Sequence, residues 1–216
     1  TDAVIIDGDL NLVASTKSPT TEDVMGGIKA AMHEVVSQIG LEAAANIGFA
    51  MLGTTHCTNA IVERRRLNKV AALRIGAPAT TAISCMADWP EELKSAMRVR
   101  DFLVHGGHEF DGREISALIE DEIREVARVV REEGFESVAV TSVFSPVSDV
   151  HGRRAVEVLR AELGEEFPIS VSSEIGSLGF LERENASILN AALVDVARTT
   201  ADSFEEALAA EGIVDV

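Results

Sequence analysis

Short apolar runs alternate with amphipathic stretches along most of this chain. The runs, which are short enough for strands, lie at residues 3–6, 10–15, 46–52, 69–75, 102–104, 137–144 and 169–171. Elsewhere apolar residues recur at spacings of three and four, which predicts helices at about 21–38, 59–66, 116–133, 149–163 and 181–211, the last being one helix or a pair. This alternation favours an α/β fold with a mixed, largely parallel sheet flanked by helices.

Two regions depart from this alternation. Residues 1–17 read as an antiparallel hairpin, because Asp7-Gly8-Asp9 separates two short apolar runs with a turn signal. Structure that begins at the first residue is unusual, so we expect the chain to be a fragment of a larger protein. Residues 76–100 lack a long period and contain a short helix that begins near Pro90. The sequence leaves open whether a domain boundary lies in that stretch. Otherwise, we expect residues 1–216 to form one region.

Composition narrows the classes of function. The 216 residues carry a net charge of −17, which disfavours binding to nucleic acid and to anionic membranes. No apolar run reaches the roughly 18 residues that span a bilayer. Two cysteines, Cys57 and Cys85, without CxxC spacing are typical of a reducing compartment, and we expect a cytoplasmic protein.

Residues 53–60, Gly-Thr-Thr-His-Cys-Thr-Asn-Ala, follow an apolar run and precede a predicted helix. Hydroxyl and amide groups at a strand-to-helix junction favour a ligand site, because α/β proteins bind ligands at the carboxyl ends of their strands. The free N–H groups of a helix N-terminus suit a phosphate or a carbonyl oxygen that gains charge. Helix capping alone would explain one threonine rather than Thr54, Thr55, Thr58 and Asn59 together.

Histidines and carboxylates cluster at residues 105–111. His105, His108, Glu109 and Asp111 have the residue types of a metal site, but a solvated β-turn is favoured and no metal ligand set is assigned. Ser145 and Pro146 favour a simple loop. His151, at the start of the next predicted helix, is typical of a cap or a loop contact.

Three polar residues of the last helical stretch, Arg183, Glu184 and Asn190, form either a surface ion pair with a cap or part of a polar ligand site. The sequence leaves these alternatives open. Thr1 has the residue type of an N-terminal nucleophile, but truncation explains its position better.

Several short motifs stand in a fixed order along the chain. The more specific are Gly-Thr-Thr at 53–55 with Thr-Asn-Ala at 58–60, and Glu-Arg-Glu at 182–184 with Leu-Asn-Ala at 189–191. Weaker matches lie at residues 1–4, 17–21, 63–65, 110–112, 138–146 and 151. Together they resemble the N-terminal region of the hydantoinase/5-oxoprolinase family, of the hydantoinase A type.

The resemblance implies one lobe of an actin/hexokinase-like (ribonuclease H-like) ATPase. It implies use of ATP and Mg²⁺ to phosphorylate the carbonyl oxygen of a cyclic amide (a hydantoin, oxoproline or a lactam), which water then opens. It also implies a second hydantoinase-type subunit in a hetero-oligomer. The residues assigned to the reaction are Asp2, Thr55 and Asn59; those assigned to substrate or nucleotide are Thr1, Thr54, Thr58, Arg183, Glu184 and Asn190.

The chain departs from the family pattern at three points. The Asp-x-Gly-Gly-Thr phosphate loop expected before Thr1 and the second nucleotide lobe expected after Val216 are not in this sequence, and Leu67 stands where many members have glycine. We therefore expect the chain alone to be inactive. Two rival functions stay open: the ATP-using subunit of an acetone- or acetophenone-type carboxylase, and a non-catalytic lobe that has lost nucleotide binding.

Overall fold

A computed structural model describes residues 2–18, 24–53, 55–177 and 179–213. The strands are β1 (Asp2–Ile6), β2 (Leu12–Lys17), β3 (Val70–Ala77), β4 (Arg100–His105), β5 (Ser137–Ser142) and β6 (Ile169–Val171). The helices are α1 (Val24–Ile39), α2 (Leu41–Ala44), α3 (His56–Glu63), α4 (Glu91–Met97), α5 (Glu120–Glu132), α6 (Val150–Leu163), α7 (Ser172–Ile175), α8 (Phe180–Ala192) and α9 (Val194–Ala210). Among the described residues, no helix is long and apolar enough to cross a bilayer.

The chain divides into two compact units. The terminal unit comprises residues 1–57 and 196–216, and the central unit comprises residues 58–195. The sequence had left a boundary open at 76–100, but that stretch lies inside the central unit. The reason is that β3 and β4, on either side of it, are neighbouring strands of one sheet.

In the terminal unit, β1 and β2 form the predicted antiparallel hairpin. The carboxylate of Asp7 stabilises the turn, because its Oδ1 accepts the N–H groups of Asp9 and Asn11, each at 2.9 Å. The apolar core of this unit is formed by Ala14, Val35, Val36, Ala44, Leu208 and Ile213.

The strand predicted at residues 46–52 is wrong, since this segment lies outside helices and strands. Ile47 and Ala50 pack against the apolar core of the terminal unit, whereas Phe49 and Met51 are 87% and 92% exposed. A strand requires a neighbour for its backbone N–H and C=O groups. Within the described part of this unit, the sheet contains β1 and β2 alone.

The central unit contains a four-stranded sheet in the order β4-β3-β5-β6, with every neighbouring pair parallel. All residues of β3 and β5 are buried, as expected for strands covered on both faces. Helices α5 and α6 contribute Ile123, Val130 and Leu159 to its core. Instead of the predicted mixed sheet, the chain therefore has a separate antiparallel pair and a wholly parallel sheet. The reason lies in the connections, because a tight turn joins only antiparallel strands, whereas parallel strands need crossovers.

The order of the parallel strands changes direction between β3 and β5. From β3 the chain passes to β4 on one side, and it then crosses to β5 on the other side of β3. The connections that follow β3 and β5 consequently diverge. The carboxyl ends of these two strands form the topological switch point, where α/β proteins usually bind ligands.

Candidate functional site

The segment after β4 crosses the carboxyl ends of β3 and β5. The N–H of His108 donates to the carbonyl of Val143, the residue that follows β5, at 3.2 Å. This close approach requires glycine at the two preceding positions. Gly106 and Gly107 have φ of 133° and 90°, and a Cβ on Gly107 would lie 3.2 Å from the carbonyl oxygen of Ile75.

A tight turn then brings Glu114 beside His108. The N–H of Glu109 donates to the carbonyl of Arg113 at 2.7 Å, and His108 and Glu114 form an antiparallel bridge. Side chains directly opposite each other in such a bridge lie on the same face. The turn favoured for the cluster at 105–111 is therefore present, but His108 is buried rather than solvated, and the turn places a carboxylate next to it.

His151, in the first turn of α6, completes this group. Its Nδ1 accepts the N–H of Gly107 at 2.9 Å, so the proton of the neutral ring lies on Nε2. Nε2 lies 3.1 Å from Oε1 of Glu114. The rings of His151 and His108 are in contact, with centroids 4.4 Å apart.

His108 is buried and has one nitrogen without a described partner. Its Nε2 lies 3.2 Å from the hydroxyl of Ser148, whereas no described group hydrogen-bonds to its Nδ1. Burial, followed by the charge of His151, lowers the pKa of His108 below its usual 6.5, although Glu114 opposes this shift. This shift favours the neutral imidazole. A ring nitrogen of each histidine and a carboxylate oxygen of Glu114 lie within 4.8 Å of one another.

A second polar group surrounds Arg183, in the first turn of α8. Its guanidinium donates to the carbonyls of Gly179 at 2.8 Å and Ser142 at 3.4 Å, and its side chain is buried. Among the described residues, neither Nε of Arg183 nor the hydroxyl of Ser142 has a hydrogen-bond partner. Burial lowers the pKa of Arg183 and exceeds the opposing effect of Glu182. Such a cation is suited to an anionic ligand.

The neighbouring Glu184 points to a different partner. Its two carboxylate oxygens accept hydrogen bonds from Nε and one terminal nitrogen of Arg74, at 2.7 and 2.5 Å, inside the central unit. Asn190 donates to the hydroxyl of Ser170 on β6 at 2.9 Å. Both contacts stabilise the packing of α8 on the sheet, and the predicted ligand roles of these two residues stay predictions.

The junction at residues 53–60 leads into a helix, but α3 begins at His56 rather than at residue 59, and the strand predicted before it is absent. Thr55 directly precedes the helix, while Thr58 and Asn59 lie in its first turn, and all three are exposed. The boundary between the two units falls within this helix, after Cys57. Asp2 is the first residue of β1, and its Oδ1 lies 3.7 Å from Nζ of Lys17. Thr1 and Thr54 lie outside the described residues.

From the sequence, His108 and His151 were interpreted as separate features, and Glu114 was not singled out. The signal that could have joined them is the position of each residue after a strand of the parallel sheet. His108 follows β4, and His151 begins the helix after β5. Their proximity depends on the strand order, which the spacing along the chain does not reveal.

Comparison with known proteins gives the family. Residues 1–163 match the hydantoinase/oxoprolinase N-terminal region. The chain belongs to this family. The match covers the terminal hairpin, the junction before α3 and the loop that carries His108 and Glu114. No curated protein matches the chain.

Two solved structures share the fold of this family member. Over 97% of its own length, the present chain superposes on the ATP-dependent caprolactamase from Pseudomonas jessenii, with a TM-score of 0.69 and 22% identity. It superposes on nucleotide-free acetone carboxylase, solved to study ATP-dependent acetone carboxylation, with a TM-score of 0.70 and 17% identity over 98% of its length. The chain spans 32% and 33% of those two chains.

Proposed function

We propose that this chain is part of an ATP-dependent amidohydrolase subunit that opens a cyclic amide. The observation that carries the proposal is the family match over residues 1–163. The likeness to an ATP-dependent caprolactamase across 97% of the chain supports it, because caprolactam is itself a cyclic amide. Hydantoins, oxoproline and lactams share the same reacting group and form the candidate substrate class.

The chemistry explains the need for ATP. An amide carbonyl is a poor electrophile, because its nitrogen donates electron density to the carbon. In the proposed reaction the carbonyl oxygen attacks the γ-phosphorus of ATP, a new O–P bond forms and ADP leaves. Water then adds to the activated carbon, the ring nitrogen leaves with a proton, and a second water releases phosphate from the resulting acyl phosphate.

The predicted site residues acquire specific roles in this proposal. Thr55 and Asn59, at the start of α3, would donate hydrogen bonds to the oxygen that gains charge, and Thr54 and Thr58 would line the same helix end. Asp2, with Thr1, would help to place Mg²⁺ and the phosphates of ATP.

The residues of α8 have secondary roles in this proposal. Arg183 is the strongest candidate for an anionic group of the ligand, because its buried guanidinium has only carbonyl acceptors among its described hydrogen bonds. Glu184 and Asn190 would hold the helix that presents it. A second hydantoinase-type subunit would complete the enzyme as a hetero-oligomer.

A second candidate function is the ATP-using subunit of a carboxylase. The likeness to acetone carboxylase, with a TM-score of 0.70, favours it as a fold-level alternative. Here ATP would phosphorylate the enol oxygen of a ketone with release of ADP. Bicarbonate would then take the phosphoryl group, and the freed enolate carbon would attack the carboxyl carbon with release of phosphate.

The test is ADP release by the natural-length protein together with its partner subunit. Hydantoins, oxoproline and lactams of different ring size are supplied one at a time, with and without bicarbonate. Release that depends on one cyclic amide and is indifferent to bicarbonate supports the amidohydrolase. Release that requires bicarbonate and a ketone moves the assignment to the carboxylase, and no release under any condition favours a lobe without nucleotide chemistry.

A further inference from the structure

We propose that His108, Glu114 and His151 bind a divalent transition-metal ion, with Zn²⁺ as its type, at the switch point of the parallel sheet. This site is separate from the Mg²⁺ proposed to accompany ATP. Two imidazoles and one carboxylate form a donor set that binds Zn²⁺, Fe²⁺ or Co²⁺ much better than Mg²⁺, which prefers oxygen ligands.

The first argument is the geometry of the donors. One ligand atom from each of the three side chains lies within 4.8 Å of the other two. Donors about 2.1 Å from a tetrahedral ion are about 3.4 Å apart, so the widest of the three separations must close by at most about 1.4 Å. The side chain of Glu114 is 57% exposed and can make this adjustment, whereas the two imidazoles are held by their surroundings.

The second argument is the unpartnered nitrogen of His108. A buried polar atom without a hydrogen bond costs about 1–3 kcal/mol, and such atoms call for an explanation. Nδ1 of His108 is buried and has no described partner, while Nε2 faces the hydroxyl of Ser148. An ion on Nδ1 would use this lone pair, and Nε2–H would donate to Ser148, the outer partner that a metal-bound histidine usually has.

The third argument is the fixed position of the donors in the fold. His108 is tied to the end of β5 through its N–H, and the bridge to His108 places Glu114. His151 lies in the first turn of α6. Two segments, the loop that carries His108 and Glu114 and the start of α6, therefore converge on one point, which is how positioned elements build a metal site.

Metal binding has a defined consequence for His151. Its Nδ1 accepts the N–H of Gly107, and its Nε2 proton faces Glu114 at 3.1 Å. An ion on Nε2 replaces this proton; a neutral ring must then carry its proton on Nδ1, and the N–H of Gly107 must turn away. Gly106 and Gly107 have positive φ, a region open to glycine, so the peptide between them can rotate.

The test is Zn²⁺ titration of the metal-free 216-residue chain by calorimetry, with Co²⁺ absorption as a second readout of imidazole ligation. Glu114→Gln is the key variant, because it removes the anionic ligand at an exposed position and can still hydrogen-bond His151. Glu109→Gln, an exposed acid in the same turn, is the matched control. A His151→Asn variant adds a second ligand, and circular dichroism without metal establishes that each variant is folded.

We expect one Zn²⁺ per chain for the unchanged protein and for Glu109→Gln, insensitive to excess Mg²⁺. Glu114→Gln should bind more than about tenfold more weakly, since even outer partners of metal ligands give effects of that size. In a ¹⁵N spectrum, Zn²⁺ should shift the Gly107 amide. The proposal is overturned if the unchanged protein takes up no stoichiometric ion, if Glu114→Gln binds as tightly as the control, or if the Gly107 amide is unaffected.

Discussion

Arg74 and Glu184 form a two-bond ion pair in the interior of the central unit. Arg74 lies on the buried strand β3 and Glu184 on α8, and their side chains are 6% and 2% exposed. The hydrogen bond to Glu184 raises the pKa of Arg74, which favours the charged guanidinium. A third bond, from Arg74 to the carbonyl of Ile83 at 2.5 Å, links the pair to the loop after β3.

Removing one partner of this pair should destabilise the fold strongly. Glu184→Gln leaves the buried guanidinium without its counter-charge, and we expect a loss of about 3–5 kcal/mol in the free energy of unfolding. Urea denaturation followed by circular dichroism measures it. The control is Glu125→Gln, which breaks an exposed pair with Arg128 on α5 and should cost about 1 kcal/mol or less. Equal losses in the two variants would contradict a structural role for Glu184.

Arg183 should behave in the opposite way. Its acceptors keep other donors, since the carbonyls of Gly179 and Ser142 also accept the N–H groups of Arg183 and Ser145. Arg183→Met retains that backbone N–H and replaces a desolvated cation by an apolar chain of similar length, an exchange that is often neutral or stabilising. We expect a smaller change in unfolding free energy than for Glu184→Gln, combined with a loss of ADP release in the natural-length enzyme. A variant that unfolds as easily as Glu184→Gln, or that retains full turnover, would exclude Arg183 as a ligand residue.

The residues at the start of α3 should affect turnover without affecting stability. Thr55 and Asn59 are exposed, so alanine at either position removes little packing. If they donate to an oxygen that gains charge, each substitution should lower kcat by about 100-fold. Steady-state ADP release measures the effect, and Thr199→Ala, at an exposed threonine on α9, is the control. Unchanged turnover in both variants would remove these residues from the site.

Cys85 should be an unreactive thiol. Burial, followed by the charge of Glu184, raises its pKa from 9.0 to about 12. The thiolate is the nucleophile, so alkylation of Cys85 by iodoacetamide should be slow at pH 8 and should rise only far above pH 9. Mass spectrometry of the labelled peptide measures it in the folded protein, with the urea-unfolded chain as the reference; equal rates in the two states would contradict the prediction.

The same shift has a consequence for stability. The folded state keeps the proton of Cys85 to higher pH than the unfolded state does, so between about pH 9 and 12 the native protein holds more protons. Stability linked to this thiol is therefore intact below pH 9 and is lost as pH rises through that window. A Cys85→Ser variant should show a weaker alkaline loss of unfolding free energy.

Local pattern predicted most elements of this fold but not their partners. The strand at 169–171, the helix at 149–163 and the Asp7 turn depend on short-range periodicity and turn chemistry, and the structure has them within a residue or two. The predicted strand at 46–52 had the same apolar signal, yet no described strand pairs with it. Apolar residues indicate that a segment is buried or paired. They do not specify which segment lies beside it, and pairing depends on that neighbour.

By itself, the sequence determined the α/β class, the family and the presence of a helix at the threonine-rich segment, because each of these depends on residue types at short spacing. The tertiary structure decided which distant side chains meet. It paired Arg74 with Glu184 across 110 positions, and it brought His108 and Glu114 to His151. The reason is the order of the four parallel strands, which sets the loops that share the carboxyl edge and is not encoded in any single segment.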